Sequence, residues 1–524
     1  MRYRADHRDK VFASSVWVTL CLVLFACCTS RQSRTEHGLV IGARADDYVV
    51  EPLKSKLGMY PLNAQICEPL VRITADYKIE PLLAVRWERR GSTWRFFLRP
   101  GVVFSNGQPL TSEAVRYTFA RLVQGDRAGI YQHVYLDENS FSVVDDLTVD
   151  ITPARPNERL LEQIGHADYG IIAPGTEPAT EPIGTGPFKL VEYRRSQWLK
   201  LERNARYWGE RPPLSRLTFR FLPDDTTRVL ALQAGEVGMI LDVPREQAAT
   251  LRAAAAGTSV VEAPVGRVAA IFLNIHGQTP HELLANRNLR RALALALDRR
   301  VLIEKVWEGN GELVATLAPR AMLGEHGAMV EGFPYDPQGA AELLAREGWT
   351  PGADGVRVRE GQRLTLTLIA WPEFDAATIE FIQAQLASVG IELRIMKSPD
   401  SASYQARVAS GEFDLDLEGT NQNHANPIFL PALRFYSKST GKSVRWFAPG
   451  GGFDAAVEAG LAANERAQVM LRSAEAQRIL VDEEVVVIPL AGLKRIYALR
   501  GEVRGFTPHP ALLHQRWDTI SVER

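Results

Sequence analysis

The sequence predicts an α/β protein divided into at least two domains, and two observations carry that reading. The first is a strand–helix–strand unit. Leu364, Leu366 and Leu368 alternate with Thr365, Thr367 and Ile369, the two-residue period of a strand. Residues Ala376 to Ser388 follow helical periodicity and stop before Gly390, a residue favoured just past a helix end. Ile391, Leu393 and Ile395 then form a second strand. Two strands joined by a helix within about thirty residues make a βαβ unit, whose strands run parallel with a right-handed crossover. The second observation is length, since 524 residues exceed what one hydrophobic core organises.

Taken in chain order, residues 1–28 read as a signal segment rather than as part of the fold. Arg2, Arg4, Arg8 and Lys10 give a basic start, offset by Asp6 and Asp9, and Val11 to Ala26 is uncharged and apolar. That run is short for a transmembrane helix and fits a signal core. Residues 29–38 are polar and read as a tether. Leu39 to Arg44 begins the first strand, and Trp94, Phe96 and Leu98 alternate with Arg95, Phe97 and Arg99 in another. Asn106-Gly107 is a turn dipeptide, and Thr111-Ser112-Glu113 opens a helix with Val115, Phe119 and Leu122 on one face. Ala253 to Ala256 reads as helix, and Pro174 to Pro182 and Gly450 to Gly452 as loops. Leu289, Leu293, Leu297 and Val301 recur every four residues along a further helix.

Composition narrows the function. The chain is 46% hydrophobic and 23% charged with a formal net charge of −1, without the basic bias that a nucleic-acid footprint requires. Of four cysteines, Cys21 falls in the signal segment and Cys27 and Cys28 at its end, so only Cys67 enters the fold. A single thiol cannot staple a domain, and Cys67 reads as a small buried apolar group. The ten histidines include no His-Glu-x-x-His pair or zinc-spaced cluster, and no Gly-x-Ser-x-Gly elbow occurs. His509 and His514 are separated by Pro510, which breaks the helix that would align them, and His276 and His281 flank a Gly277/Pro280 loop. Gly441-Lys442-Ser443 lacks the earlier glycine of a phosphate loop, which is Tyr436. No enzyme and no cofactor are expected.

The most informative stretch is Pro182-Ile-Gly-Thr-Gly-Pro-Phe-Lys-Leu-Val-Glu-Tyr193, with Glu202-Arg-Asn-Ala-Arg-Tyr-Trp208 after it. Gly184 and Gly186 permit backbone angles closed to other residues, and Pro187 stiffens the exit into a strand. The stretch resembles the IGTGPY…RNPxYW signature of the family 5 extracytoplasmic solute-binding proteins of ABC importers. Further resemblances lie in Glu80-Pro-Leu-Leu-Ala84 through Phe104-Ser-Asn-Gly107, in Asn288-Leu-Arg-Arg-Ala-Leu293 to Asp298-Arg299, and in Tyr335-Asp-Pro337 to Gly348-Trp349. Together they cover nearly all of residues 39 to 524. The resemblance implies a two-lobed periplasmic-binding-protein fold of the large, peptide-binding-like type II, with a hinge and an interlobe cleft. Lobe one would span 39–271, completed by 496–524, and lobe two 272–495. Leu24-Phe25-Ala26-Cys27 resembles a lipobox, which implies acylation of Cys27 and an extracytoplasmic, membrane-anchored lipoprotein. An ordinary cleaved signal, an uncleaved anchor helix, or use of Cys28 remain as alternatives.

By the same resemblance, Asp414 to Pro427 occupies the place of the family's most telling ligand contacts. Where peptide-binding members carry a tryptophan and an aspartate, this chain has Thr420 or Asn421 and then Asn423. Phe104-Ser105-Asn106-Gly107 and Pro223-Asp-Asp-Thr-Thr-Arg228 look closest to the nickel-binding branch, but its metal-ligating histidine falls on Lys438, a cation that repels a metal ion. The expected ligand-binding set is Met59, Tyr60, Arg127, Asn421, Asn423, His424 and Lys438, and each of these has a surface or structural reading beside it. Trp371 and Tyr404 read equally as cleft walls or as core. The implied function is capture of a peptide-like or other small polar solute, a metal chelate among them, by lobe closure. A monomer would then deliver it to a permease and ATPase complex. The alternatives are a nickel-chelate-binding protein of a nickel importer and a non-transport sensor lipoprotein on the same fold.

Overall fold

The computed structural model describes residues 38–44, 63–124, 136–154, 159–176, 182–253, 257–275, 282–422, 424–438 and 451–523. The signal segment with Cys27 and Cys28, Met59, Tyr60, Arg127 and Asn423 lie outside the described residues.

Two main sheets organise the chain, and their strands are numbered together in chain order. The first six are β1 (Gly38–Ala43), β2 (Phe188–Arg194), β3 (Trp198–Arg203), β4 (Arg216–Phe221), β5 (Met239–Ile240) and β6 (Thr258–Glu262). The others are β7 (Arg267–Leu273), β8 (Thr365–Ala370), β9 (Glu392–Met396), β10 (Leu415–Asn421), β11 (Val487–Leu493) and β12 (Ile496–Arg500). The seven-stranded sheet has the order β6-β12-β5-β1-β4-β3-β2, and the five-stranded sheet β9-β8-β10-β7-β11.

The βαβ unit forms as expected. β8 and β9 pair in parallel, Thr365 opposite Glu392, with helix Ala376–Ser388 between them. Asp375 caps that helix by accepting from the Thr378 amide at 2.8 Å, and Gly390 ends it at φ +86°. Its buried Ile379, Ile382 and Leu386 join Leu366 and Leu368 in the second core. A four-stranded antiparallel sheet adds to the first lobe, in the order Ala84–Arg90, Thr93–Leu98, Thr148–Ile151, Phe141–Asp145. Within Thr93–Leu98 the residues Trp94, Phe96 and Leu98 turn inward, as their alternation predicts.

The crossings between sheets define the hinge. The chain leaves the first sheet after β6, enters the second at β7, and returns between β11 and β12. Because β6 pairs with β12 and β7 with β11, the crossings at 263–266 and 494–495 run side by side. β7 lies wholly in the second sheet, so the chain passes from the first sheet to the second at 263–266, ahead of the 271/272 position expected for the lobe boundary. The C-terminal segment packs beside the first sheet, where Trp517 and Ile520 enter the first core.

Three local expectations change. The helix through Leu289 and Leu293 runs only over Arg287–Leu295, because Asp298 caps a new turn by accepting from the amides of Arg300 and Val301. Helix Gly451–Ala462 begins inside the glycine run read as a loop. Gly184 and Gly186 do not take left-handed angles. They are needed because a Cβ would lie 1.8 Å from the Ile66 carbonyl oxygen and 2.3 Å from that of Gln65. The signature lets two backbone segments touch, and the Gly186 amide donates to Ile66 O at 3.0 Å.

The rest of the signature holds a buried carboxyl. Glu68 is 2% exposed, and it accepts from Thr185 Oγ1 at 2.8 Å, Trp208 Nε1 at 2.7 Å and Tyr207 Oη at 3.1 Å. Asn204 donates to Gly186 O at 2.9 Å and accepts from the Arg206 amide at 3.0 Å. The motif that opens at Pro223 also serves the fold. Asp224 caps helix Asp225–Gln233, and the fully buried Arg228 donates to Leu222 O and Asp242 O. Neighbouring Cys67 is buried with its thiol pushed well up by desolvation, as an inert core residue should be.

Candidate ligand cleft

The two crossings form the back wall of a cavity of about 340 Å³ that both lobes line. From the first lobe come the end of β1 at Arg44, Asp225, the 242–246 turn, and Pro510 and Leu512 of the returning segment. The second lobe adds Asn310, the Pro372 to Asp375 turn after β8, and Asn421 at the end of β10. Gly266, Arg267 and residues 493 to 496 complete the wall. A position beyond the carboxyl ends of parallel strands is where open α/β sheets bind ligands.

The lining is charged and balanced. Arg44, Arg245, Arg267, Lys494 and Arg495 face Asp225, Asp242, Glu246, Glu373 and Asp375. Arg267 holds Glu373 through both guanidinium nitrogens, and Arg495 Nε is 3.0 Å from Asp242. Lys494, on the crossing itself, stands 3.5 Å from Glu262 of the first lobe and 3.5 Å from Glu312 of the second. Across the cleft Arg245 donates to Asp375 at 2.8 Å. Opening the lobes must break that pair. Its side chains are 22% and 46% exposed, and an ion pair of that kind contributes about 1 kcal/mol at most. Arg245→Ala is therefore expected to weaken solute binding by no more than about fivefold, with the loss vanishing in 1 M salt; titration calorimetry at two salt concentrations checks this.

The structure scatters the expected site residues. Asn421 lines the cavity, opposite Arg267 in the β7–β10 register. His424 is buried, 5% exposed, tilted against Phe429 at 3.8 Å and stacked on His166 at 4.3 Å between ring centroids. Lys438 is exposed and paired with Glu458 on helix Gly451–Ala462, away from the cavity lining. Tyr404 is core, and the half-buried Trp371 packs on it edge to face at 4.9 Å beside Phe413.

The acidic run at 414–418 is spent on structure. Asp414 accepts from the Thr367 amide, Asp416 from Tyr404 Oη at 2.6 Å, and Glu418 from both guanidinium nitrogens of Arg434 at 2.7 Å. The cavity's own charges were missed because they come from six separate stretches of chain. His509 and His514, read as held apart by Pro510, lie 5.3 Å from each other between ring centroids. A loop brings them together, so helical spacing was the wrong test. Among the described residues no group of three or more His, Cys, Asp or Glu is placed to hold a metal ion.

Two α/β lobes, joined by paired crossings behind a charged cleft, define a two-lobed solute-binding protein. The chain matches the family described as bacterial extracellular solute-binding proteins, family 5 Middle, over residues 78–442, and it belongs to that family. It is 27% identical over 465 residues to the nickel-binding periplasmic protein of Escherichia coli K12, covering 84% of this chain and 86% of the relative. To the peptide transport periplasmic protein SapA of Salmonella typhimurium it is 26% identical, covering 91% and 90%. Among solved structures, NikA from Brucella suis in complex with Fe(III)-EDTA superposes with a TM-score of 0.81 at 24% identity, covering 93% of this chain and all of that one. DppA from Helicobacter pylori in complex with peptide STSA gives 0.77 at 21% identity, covering 93% and 99%.

Proposed function

We propose that this protein is the solute receptor of an ABC importer, held at the membrane through lipid on Cys27, and that it delivers its solute to a permease and ATPase complex. The inferred lobes are 38–262 with 496–523, and 267–493. The observation that carries the reading is the cleft, lined by both lobes and closed behind by two adjacent crossings. Its volume, about 340 Å³, falls at the small end of ligand pockets, roughly 300–1,000 Å³. A compact polar solute fits that space better than a long peptide.

The paired charges favour a solute that carries charge of its own. A bound carboxylate would take over Arg267, and a cationic group Glu373, so that no ion is left buried alone. A metal chelate is the second ligand class, supported by the similarity to the nickel-binding relative over most of both chains. Chelate binding would use these same charge pairs through the organic ligand.

Native mass spectrometry of the exported protein, before and after unfolding and refolding, tests the reading. It predicts a small adduct that refolding removes and that returns when the solute fraction is added back. A clean mass, together with no thermal stabilisation by any di- or tripeptide, amino-acid conjugate or metal chelate, would overturn it.

A further inference from the structure

Four histidines from three separate stretches of the sequence meet where the lobes touch. His424 follows β10 in the second lobe, and its ring lies 13° from parallel with that of His166 of the first lobe, at 4.3 Å. His514, on the returning C-terminal segment, stands edge-on to His166 at 5.8 Å, with His509 behind it. The same seam carries other contacts between lobes. Arg159 donates to Ala463 O, Arg466 donates to Tyr77 O, and Tyr77 packs in one apolar cluster with Met322 and Ala425.

We propose that this histidine stack is a proton-sensitive latch, which permits closure while neutral and drives the lobes apart on acidification, so that the bound solute is released. The proposal rests on the lobe-closure reading above. Its basis is geometric. Two imidazoles stacked at 4.3 Å out of water can both be neutral, but two imidazolium rings there would repel strongly.

One neighbouring carboxylate, on the first-lobe side, offsets part of that penalty. Among the described residues, the first lobe faces His424 with His166 and His514, and the second with the Phe429 ring. Asp168 lies 3.5 Å from His166 Nδ1, which accepts from the Asp168 amide. His514 borders a cavity of about 50 Å³ with Glu68, Arg72, Arg516 and Asp518. Tyr77 stands 6.5 Å behind His509.

Burial, and then the charge of His514, hold His424 down to about 3 in the closed form, against an ordinary value of 6.5. Opening returns the ring to water. Below pH 6.5 the open form therefore binds the extra proton. The closed-to-open ratio is at its full value above that pH and falls about tenfold per unit beneath it, until the closed form also protonates. Burial lowers His509 to about 4 as well, but its backbone partners at Ile73, Thr74 and Ala511 all belong to the first lobe, so opening need not expose it.

Small-angle scattering of the exported protein, fitted as a mixture of closed and open shapes, tests the latch. From pH 7.5 to pH 5.0 the open-to-closed ratio should rise about thirtyfold in the native chain, and by less than threefold in His424→Phe. The phenylalanine keeps the stack on His166 and the contact with Phe429 without titrating, and His166→Phe provides the same test from the other lobe. Two shapes whose ratio ignores pH, or variants that respond as strongly as the native chain, would overturn the latch and leave closure standing. One unchanging shape under every condition would overturn closure, and the latch with it.

Discussion

Gly184→Ala is expected to destabilise the protein by about 3 kcal/mol or more, and to leave little folded chain at 37 °C. The new methyl group would sit 1.8 Å from the Ile66 carbonyl oxygen and 2.8 Å from the Cys67 Cα. Both obstacles are backbone, so no side-chain rotation can make room. The segment cannot retreat either, since Ile171 N donates to Glu68 O and Gly186 N to Ile66 O within the first core. Gly452→Ala is the control. That glycine lies in the first turn of helix Gly451–Ala462, and among the described residues only Ile479 comes near its Cβ position, at 3.8 Å. Its replacement should change stability by less than about 1 kcal/mol, because alanine suits a helix better than glycine does. Urea unfolding of the two variants compares them directly.

Glu68→Leu should cost a similar amount, about 3 kcal/mol, by leaving the buried Thr185 donor and the half-buried Tyr207 and Trp208 donors without their acceptor. Glu68→Gln separates charge from shape. Burial raises the Glu68 carboxyl to about 7, overcoming the hydrogen bonds that favour the ionised form, with Asp518 adding to the rise. Here the folded-state value lies above the ordinary 4.5, so between those limits the folded chain binds more protons than the unfolded one. This contribution to stability is therefore fully present below pH 4.5 and is lost as pH rises towards 7, by about 3 kcal/mol in total. Subtracting the pH–stability curve of Glu68→Gln from that of the native chain should show that decline. A flat difference would mean that Glu68 stays ionised in the folded protein.

The parts of the fold written in local pattern were legible. The alternation in Leu364–Ile369, the helix that ends before Gly390, and the strand at Trp94–Leu98 all depend on residues close in sequence. Errors arose where one side chain overrode a period. Asp298 stops a helix whose leucine spacing runs on through Leu297, and Val301 is left half-exposed. Gly184 and Gly186 carried the strongest signal, but their cause lies more than a hundred residues away, at Gln65 to Cys67. The crossing at 263–266 left no mark in the sequence because β7 is apolar from Val268 to Leu273 and would suit either core.

The cleft was hardest to read, for a physical reason. Its charges come in pairs that close only in three dimensions, such as Arg245 with Asp375 and Arg267 with Glu373. Each member alone looks like an ordinary surface ion. The histidine seam draws on residues 166, 424, 509 and 514, and no spacing rule links them. Only the pair around Pro510 offered a hint, and the helical test applied to it pointed the other way.

The measurement that tests the central claim most directly is scattering on one sample carried through stripping and reloading. The protein would be freed of its co-purified solute by unfolding and refolding, and then titrated with the recovered solute fraction. Closure on the cleft predicts that the radius of gyration falls in proportion to occupancy, and that Arg267→Ala abolishes the fall together with the binding. Solute bound at full occupancy with no change in radius, or contraction and affinity unaltered in Arg267→Ala, would contradict the account.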